Sequence, residues 1–351
     1  MTRRLGLDVL RIVSILGVVV IHVFGGLVTN PAVHGSGSWK LATVLDIGFV
    51  WVVPVFVMVS GALVLDPRMH KDGPGPFYRK RLLRLGWAFV FWQAFYLIVV
   101  YHFMSRVPLS IGSAAALVYT GNTYTHLYFL WLIVGLYAVA PIIFAFLRDG
   151  GPRRALVFAL VVIVVTTLTY VGAAVLTHFG SAQSLPLKAV TQWVPYVGYF
   201  VAGWALRDVR LRGWVLAAAT VGTLVAAAAD ILLYATPGRM PLLHSLLPVS
   251  YLGPLVAISA IGVFLVGNSL CDRVRLSERV GRGVARVSDS VFGVYLFHFF
   301  LIVLVVVLWP GFEQRRIEEW WAAALLAAGV AVVSFGFSMA MRRVPFVRRL
   351  F

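Results

Sequence analysis

One cysteine, Cys271, stands in 351 residues, so no intramolecular disulfide framework is possible. Acidic residues are also few, 13 against 30 Lys plus Arg, and charged residues of both signs make up only 12% of the chain. Soluble proteins carry about 25% charged residues, so a water-facing globular surface cannot be built from so few. There is no HExxH, no cysteine pair for a thiolate site, no glycine-rich phosphate loop, and no internal repeat. Zinc-hydrolase, P-loop and dinucleotide-fold readings fall away, and no metal is expected. The lack of a repeat counts mildly against repeat-built transporter folds.

What remains is apolar. Hydrophobic residues are 61% of the chain and the mean hydropathy is +0.92. Ten apolar segments are long enough to read as membrane spans: 5–28, 42–65, 82–104, 127–147, 155–178, 193–207, 213–234, 250–269, 289–309 and 320–341. The sixth is the shortest and has Pro195 near its start. The expected fold is all-α, a polytopic bundle of about ten transmembrane helices forming a single membrane domain over 1–351, with no room for a soluble one. Arg3 and Arg4 precede an apolar run too long for a signal peptide and without a clear cleavage site, so the first segment is read as an uncleaved helix.

The net charge of +17 is explained by topology rather than by nucleic acid. Numbering the ten spans puts 24 of the 30 basic residues on one side of the membrane. Lys40, Arg106, Lys188, Arg239, Arg315 and Arg316 fall on the other. The positive-inside rule then places both termini in the cytosol. Cys271 sits in a basic loop on that side and reads as a reduced structural thiol.

The first segment, LGLDVLRIVSILGVVVIHVFGGLV, holds Asp8, Arg11 and His22 inside an otherwise apolar helix. Ionisable groups at that depth are costly and mark function or pairing. Arg11 and His22 are eleven residues apart, which returns to within roughly 20° of one face and spans roughly 16 Å. One face therefore offers a cation near one surface and an imidazole deeper in. Histidine can take a hydroxyl proton and return it. The competing readings are a histidine bonded between helices and an arginine snorkelling to headgroups. Asp8, three residues before Arg11, is read as its orienting partner.

Other stretches add to this. Phe77-Tyr78-Arg79-Lys80-Arg81-Leu82-Leu83-Arg84 is the densest basic cluster. It reads as a flank of the third span or as a landing site for a polyanion. Ser60-Gly61 ends the second span, with Gly61 suited to close helix approach. His126 and Tyr128 open the fourth at its outer surface, where Tyr128 can also anchor the interface. His298 lies within the ninth, where it can contact substrate, orient His22 or simply pack.

Asp8-x-x-Arg11 followed by ten residues and His22 resembles the first-helix motif of the acyltransferase-3 family, bacterial integral-membrane enzymes that acylate glycans and other hydroxyl acceptors. The basic stretch resembles that family's arginine-rich motif at Arg79, Arg81 and Arg84, with Lys80 in a slot that is often arginine. Val55 to Gly61 keeps only Phe56 of the usual aromatic pair. His126-Leu127-Tyr128-Phe129-Leu130 has tyrosine where tryptophan is common. Tyr196 to Gly203 and Tyr295-Leu296-Phe297-His298 are similar to later family patterns. The resemblance implies an O-acetyltransferase of a surface glycan or other extracytoplasmic acceptor, in the bacterial cytoplasmic membrane. It implies acetyl-CoA bound by Arg11, Arg79, Arg81 and Arg84, and His22 as general base. Asp8, Ser60, His126, Tyr128 and His298 are then orienting or acceptor-binding candidates. Direct transfer and a covalent acyl relay are both compatible. A transporter or lipid-linked glycan flippase using the same intramembrane charges is the alternative, and a non-catalytic assembly subunit is a third reading.

Overall fold

A computed structural model describes residues 4–351 apart from 182, 184 and 237, and all the described regular structure is helical, with no strand. Arg3, counted above with the basic loops, lies outside the described residues. Among the described residues, nine helices are long and apolar enough to cross a membrane. They are Leu5–Val28, Gly37–Val64, Pro74–Met104, Tyr128–Arg148, Gly151–His178, Gly213–Ala235, Pro254–Cys271, Glu278–Leu308 and Trp320–Met341. The sixth expected span is the shorter helix Val194–Leu206. At 1.5 Å per residue it covers roughly 20 Å, less than a hydrocarbon core of roughly 30 Å. Every residue from Gly198 to Leu206 is buried, so this segment is apolar because protein surrounds it on all sides.

The first helix is the hub. It packs against both halves of the second span and against Pro254–Cys271, Glu278–Leu308 and Trp320–Met341. Between apolar helices in a bilayer, association depends on close van der Waals contact, which small residues permit. A Cβ added to Gly61 would sit 1.7 Å from the Phe200 carbonyl oxygen, and one on Gly203 would sit 1.8 Å from that of Met58. The Val52–Val64 and Val194–Leu206 helices therefore touch backbone to backbone, as the glycines of both stretches suggest.

Two spans are irregular. The second breaks between Gly37–Ile47 and Val52–Val64, with residues 48–51 in turns. The third contains π-helical stretches at Leu82–Gly86 and Tyr96–Met104. Such wide turns often coincide with functional residues, and these two carry Arg84 and Tyr96.

The loops sort into two ends. At one, Arg4 pairs with Asp208 at 2.7 Å, Arg207 with Asp66 at 3.4 Å, and Arg210 with Asp272 at 3.2 Å. The N-terminus and the loops near 66, 208 and 272 are therefore neighbours, as the alternation of basic residues requires. At the other end the Asn30 amide donates to the Ile317 carbonyl at 2.8 Å. There Arg316 is buried, bonded to the Val23 carbonyl and paired with Glu313.

Candidate active site

Arg11 and His22 line one cavity of about 310 Å3. Its wall comes from the first, second, third, fourth and eighth of the long helices. Arg81, Arg84 and Met69 lie toward the basic end with Arg11. Ser60, Ile133 and Tyr137 line it too, and His22, His126, Tyr128, Tyr251 and Tyr295 line the part near His22. Three guanidinium groups thus share a mostly apolar chamber with an imidazole.

Arg11 is held from the Glu278–Leu308 helix. Its Nη1 donates to Ser288 Oγ at 3.4 Å, and Ser288 Oγ donates to Asp8 Oδ1 at 2.6 Å. Ser288 is fully buried, so this bridge ties the base of the first helix directly to the Glu278–Leu308 helix. Arg81 sits over two aromatic rings, its Cζ 5.4 Å from the Phe77 ring centroid and 5.2 Å from that of Tyr137. Contacts of this kind fix a guanidinium plane while leaving its edge for an anion. Arg79 is exposed and does not line the cavity, so the structure separates it from Arg81 and Arg84.

Around His22 the packing is aromatic. Its ring centroid lies 5.5 Å from that of His298, 6.4 Å from His126 and 4.9 Å from Phe299. His126 and His298 are themselves 5.1 Å apart. Three histidines from distant parts of the chain thus meet, yet among the described residues no group of His, Cys, Asp or Glu is arranged to hold a metal ion. His298 Nδ1 lies 3.1 Å from the Val294 carbonyl and 2.8 Å from that of Tyr295. A carbonyl only accepts, so Nδ1 carries the proton and Nε2 presents its lone pair. Nε2 is buried with no partner among the described residues, and so are both ring nitrogens of His126. Buried polar atoms without partners are uncommon and call for a substrate or water.

The expectation that His126 lies at the outer surface is corrected. The residue is 2% exposed and its ring is turned inward against Tyr96 and Phe299. The Tyr295 hydroxyl fixes it by donating to the His126 carbonyl at 2.9 Å. Tyr128 also faces the cavity, which leaves the interface-anchor reading without support. Ser60 lines the chamber between the two ends, and His298 stands just behind His22.

Tyr96 was missing from the sequence reading. It is fully buried, and its hydroxyl donates to the Leu296 carbonyl at 2.9 Å while accepting from the Phe300 amide at 3.0 Å. These are the two backbone groups, four residues apart, that an α-helix joins directly. The hydroxyl thereby ties the third span to the stretch of helix that carries His298. The only signal in the sequence is one tyrosine among many aromatics.

Compared with known proteins, residues 4–341 match the family model of the acyltransferase-3 acyltransferase domain. No curated protein and no solved structure gives a match. A match over nearly the whole length, on a multi-pass helical bundle with these groups in one chamber, establishes that the chain belongs to the acyltransferase-3 family of membrane acyltransferases.

Proposed function

We propose that this enzyme moves an acetyl group from acetyl-CoA to a hydroxyl of a surface glycan or similar extracytoplasmic acceptor, in a bacterial cytoplasmic membrane. The observation that carries the reading is the polarity of the chamber, with Arg11, Arg81 and Arg84 toward one end and His22 toward the other. Coenzyme A is a polyanion with phosphates at one end and the thioester at the other. Guanidinium groups match phosphate oxygens, so the donor enters phosphates-last from the basic end. The positive-inside rule assigns that end to the cytosol. Arg79, exposed beside the chamber, serves encounter rather than final binding.

His22 has no hydrogen-bond partner among the described residues, which leaves its ring nitrogens for substrate. It takes the proton of the acceptor hydroxyl as that oxygen attacks the thioester carbonyl carbon. The carbon–oxygen bond forms, the carbon–sulfur bond breaks, and the proton passes from His22 to the coenzyme A sulfur. No proton is gained or lost overall. Ser60 and Tyr128 line the route of the acyl group, and His298 backs the His22 ring.

The test is turnover by purified protein in nanodiscs, read as coenzyme A released from acetyl-CoA with acceptor present. His22→Ala should lower it by about 10²–10⁴-fold, the usual contribution of a general base, with folding retained. Full activity in folded His22→Ala removes His22 from the chemistry. Movement of a glycan across liposomes without coenzyme A release would instead favour transport.

A further inference from the structure

Tyr251 lines the chamber, and the mechanism above does not use it. It lies in the non-helical stretch 247–253, between the Pro241–Leu246 and Pro254–Cys271 helices. That stretch is pinned beside it. Leu252 is buried, the Gly253 amide donates to the Ser250 carbonyl at 2.9 Å, and a Cβ on Gly253 would strike the Pro248 carbonyl. A loop held at fixed points thus brings a tyrosine into the chamber wall. His126 also comes from non-helical backbone, the stretch 121–127. Both stretches follow loops, marked by Arg106 and Arg239, that the charge alternation assigns to the side away from the basic end.

Tyr251 is joined to the His22 end of the chamber through other lining residues. Tyr128 lies within electrostatic reach of both Tyr251 and Tyr295. The Tyr295 ring centroid is 5.5 Å from that of His126, which is 6.4 Å from that of His22. The Tyr295 hydroxyl is spent on the His126 carbonyl. Among the described residues, no hydrogen bond engages the hydroxyl of Tyr128 or Tyr251, or either ring nitrogen of His126. This part of the wall therefore presents two free hydroxyls and a free imidazole, set among aromatic rings. It is also without fixed charge. Among the described lining residues there is no carboxylate, and the three arginines stand toward the donor end. Asp46 lies within electrostatic reach of Tyr251 but outside the wall.

We propose that Tyr251, with Tyr128 and His126, forms the acceptor subsite, and that this subsite takes an uncharged pyranose ring. The inference rests on the acyl-transfer reading and names what part of the acceptor is held. A tyrosine offers a flat apolar face to the C–H side of a sugar and a hydroxyl to its polar edge. A phenol and a neutral imidazole each donate and accept, so they match sugar hydroxyls, which do the same. A carboxylate or phosphate would be buried here with no cation beside it, which is costly. The guanidinium groups do not serve it, because roughly 16 Å of helix axis separates Arg11 from His22 and they face the donor phosphates. Tyr128 then stands where the acyl group and the sugar meet.

The test uses the full-length protein in nanodiscs with acetyl-CoA as donor. The acceptors are the methyl glycosides of glucose, galactose and mannose, with methyl β-D-glucuronide as the anionic counterpart. Coenzyme A release is the readout. Wild type should use the best neutral glycoside with kcat/KM about tenfold or more above the glucuronide. Tyr251→Ala should raise KM for that glycoside about tenfold or more, with acetyl-CoA affinity unchanged. Tyr251→Phe keeps the ring and its packing and loses one hydrogen bond, so KM should rise about threefold. Retained acetyl-CoA binding shows that each variant is folded. Should Tyr251→Ala fail to fold, Tyr251→Phe decides. An unchanged glycoside KM in the folded variants, equal or better use of the glucuronide, or no release with any glycoside in protein that binds acetyl-CoA overturns the subsite. Failure of folded wild type to bind acetyl-CoA at all overturns the acyl-transfer reading beneath it.

Discussion

The ring of His22 stacks on that of His298, 5.5 Å between centroids and 27° between planes. The His298 Nδ1 proton is committed to two backbone carbonyls, so the ring cannot turn without breaking both bonds. A fixed imidazole behind His22 limits which way the His22 ring can face. His298→Gln should therefore lower kcat by about ten- to a hundredfold, the scale of one strong buried hydrogen bond, with acetyl-CoA affinity kept. Steady-state kinetics with a donor-binding measurement checks this, and wild-type kcat in His298→Gln would remove its influence on His22.

Tyr96 separates activity from stability. In Tyr96→Phe the Leu296 carbonyl and Phe300 amide lose the hydroxyl between them, but they are the pair that a regular helix joins. The two can bond each other, so unfolding should shift little, by about 1 kcal/mol. Loss of the hydroxyl frees the stretch that carries His298 from the third span, so kcat should fall about tenfold or more. Unfolding temperature and kcat measured on one preparation decide the matter. An unchanged kcat contradicts the positioning role.

The close pair of helices makes a packing prediction. Gly203→Ala forces the Val52–Val64 and Val194–Leu206 backbones apart, because the new Cβ would meet the Met58 carbonyl. Overpacking of this kind costs about 1–3 kcal/mol. Gly281→Ala, where a Cβ meets nothing within 4 Å, is the matched control and should be neutral or slightly stabilising. Thermal unfolding in one detergent compares them, and equal melting temperatures would contradict the contact.

Outside the spans, His70 stacks between Phe77 and Phe144, with Nε2 2.9 Å from the Val64 carbonyl. Burial pushes its pKa below the ordinary histidine value; the bond to Val64 opposes this and Arg81 adds to it. The folded protein thus binds the proton less readily than the unfolded chain. Its contribution is complete above the unfolded pKa of about 6.5 and is lost as pH falls below that toward the folded value. Melting temperature should decline on acidification from pH 7 to 5, and less steeply in His70→Gln. Identical slopes would remove His70 as a source.

The helical bundle was legible because span length and basic-loop alternation are one-dimensional signals. Arg11 and His22 were legible for the same reason, since they share one face of one helix. Arg81, Arg84, Ser60 and Tyr128 were flagged by local pattern, and the structure brings all four to the same chamber while leaving Arg79 outside. Ser288 and Tyr96 were not legible. Ser288 matters only because the Glu278–Leu308 helix crosses the first helix at Asp8 and Arg11. Tyr96 acts through a backbone turn some 200 residues away in the chain. The break at 48–51 was not legible either, because apolar periodicity ran straight through it. His126 was placed at the outer surface because sequence position gives depth along a helix and not the direction of a ring.

The central claim is that the chamber binds an acyl-CoA by its basic end and does chemistry at His22. The most direct measurement is the acetyl-CoA binding isotherm of wild type, Arg11→Ala and His22→Ala in nanodiscs. Binding should weaken about tenfold or more in Arg11→Ala, as expected for a lost charge-assisted phosphate contact, and stay near wild type in His22→Ala. Equal binding in wild type and Arg11→Ala, or no binding in folded wild type, would contradict the account.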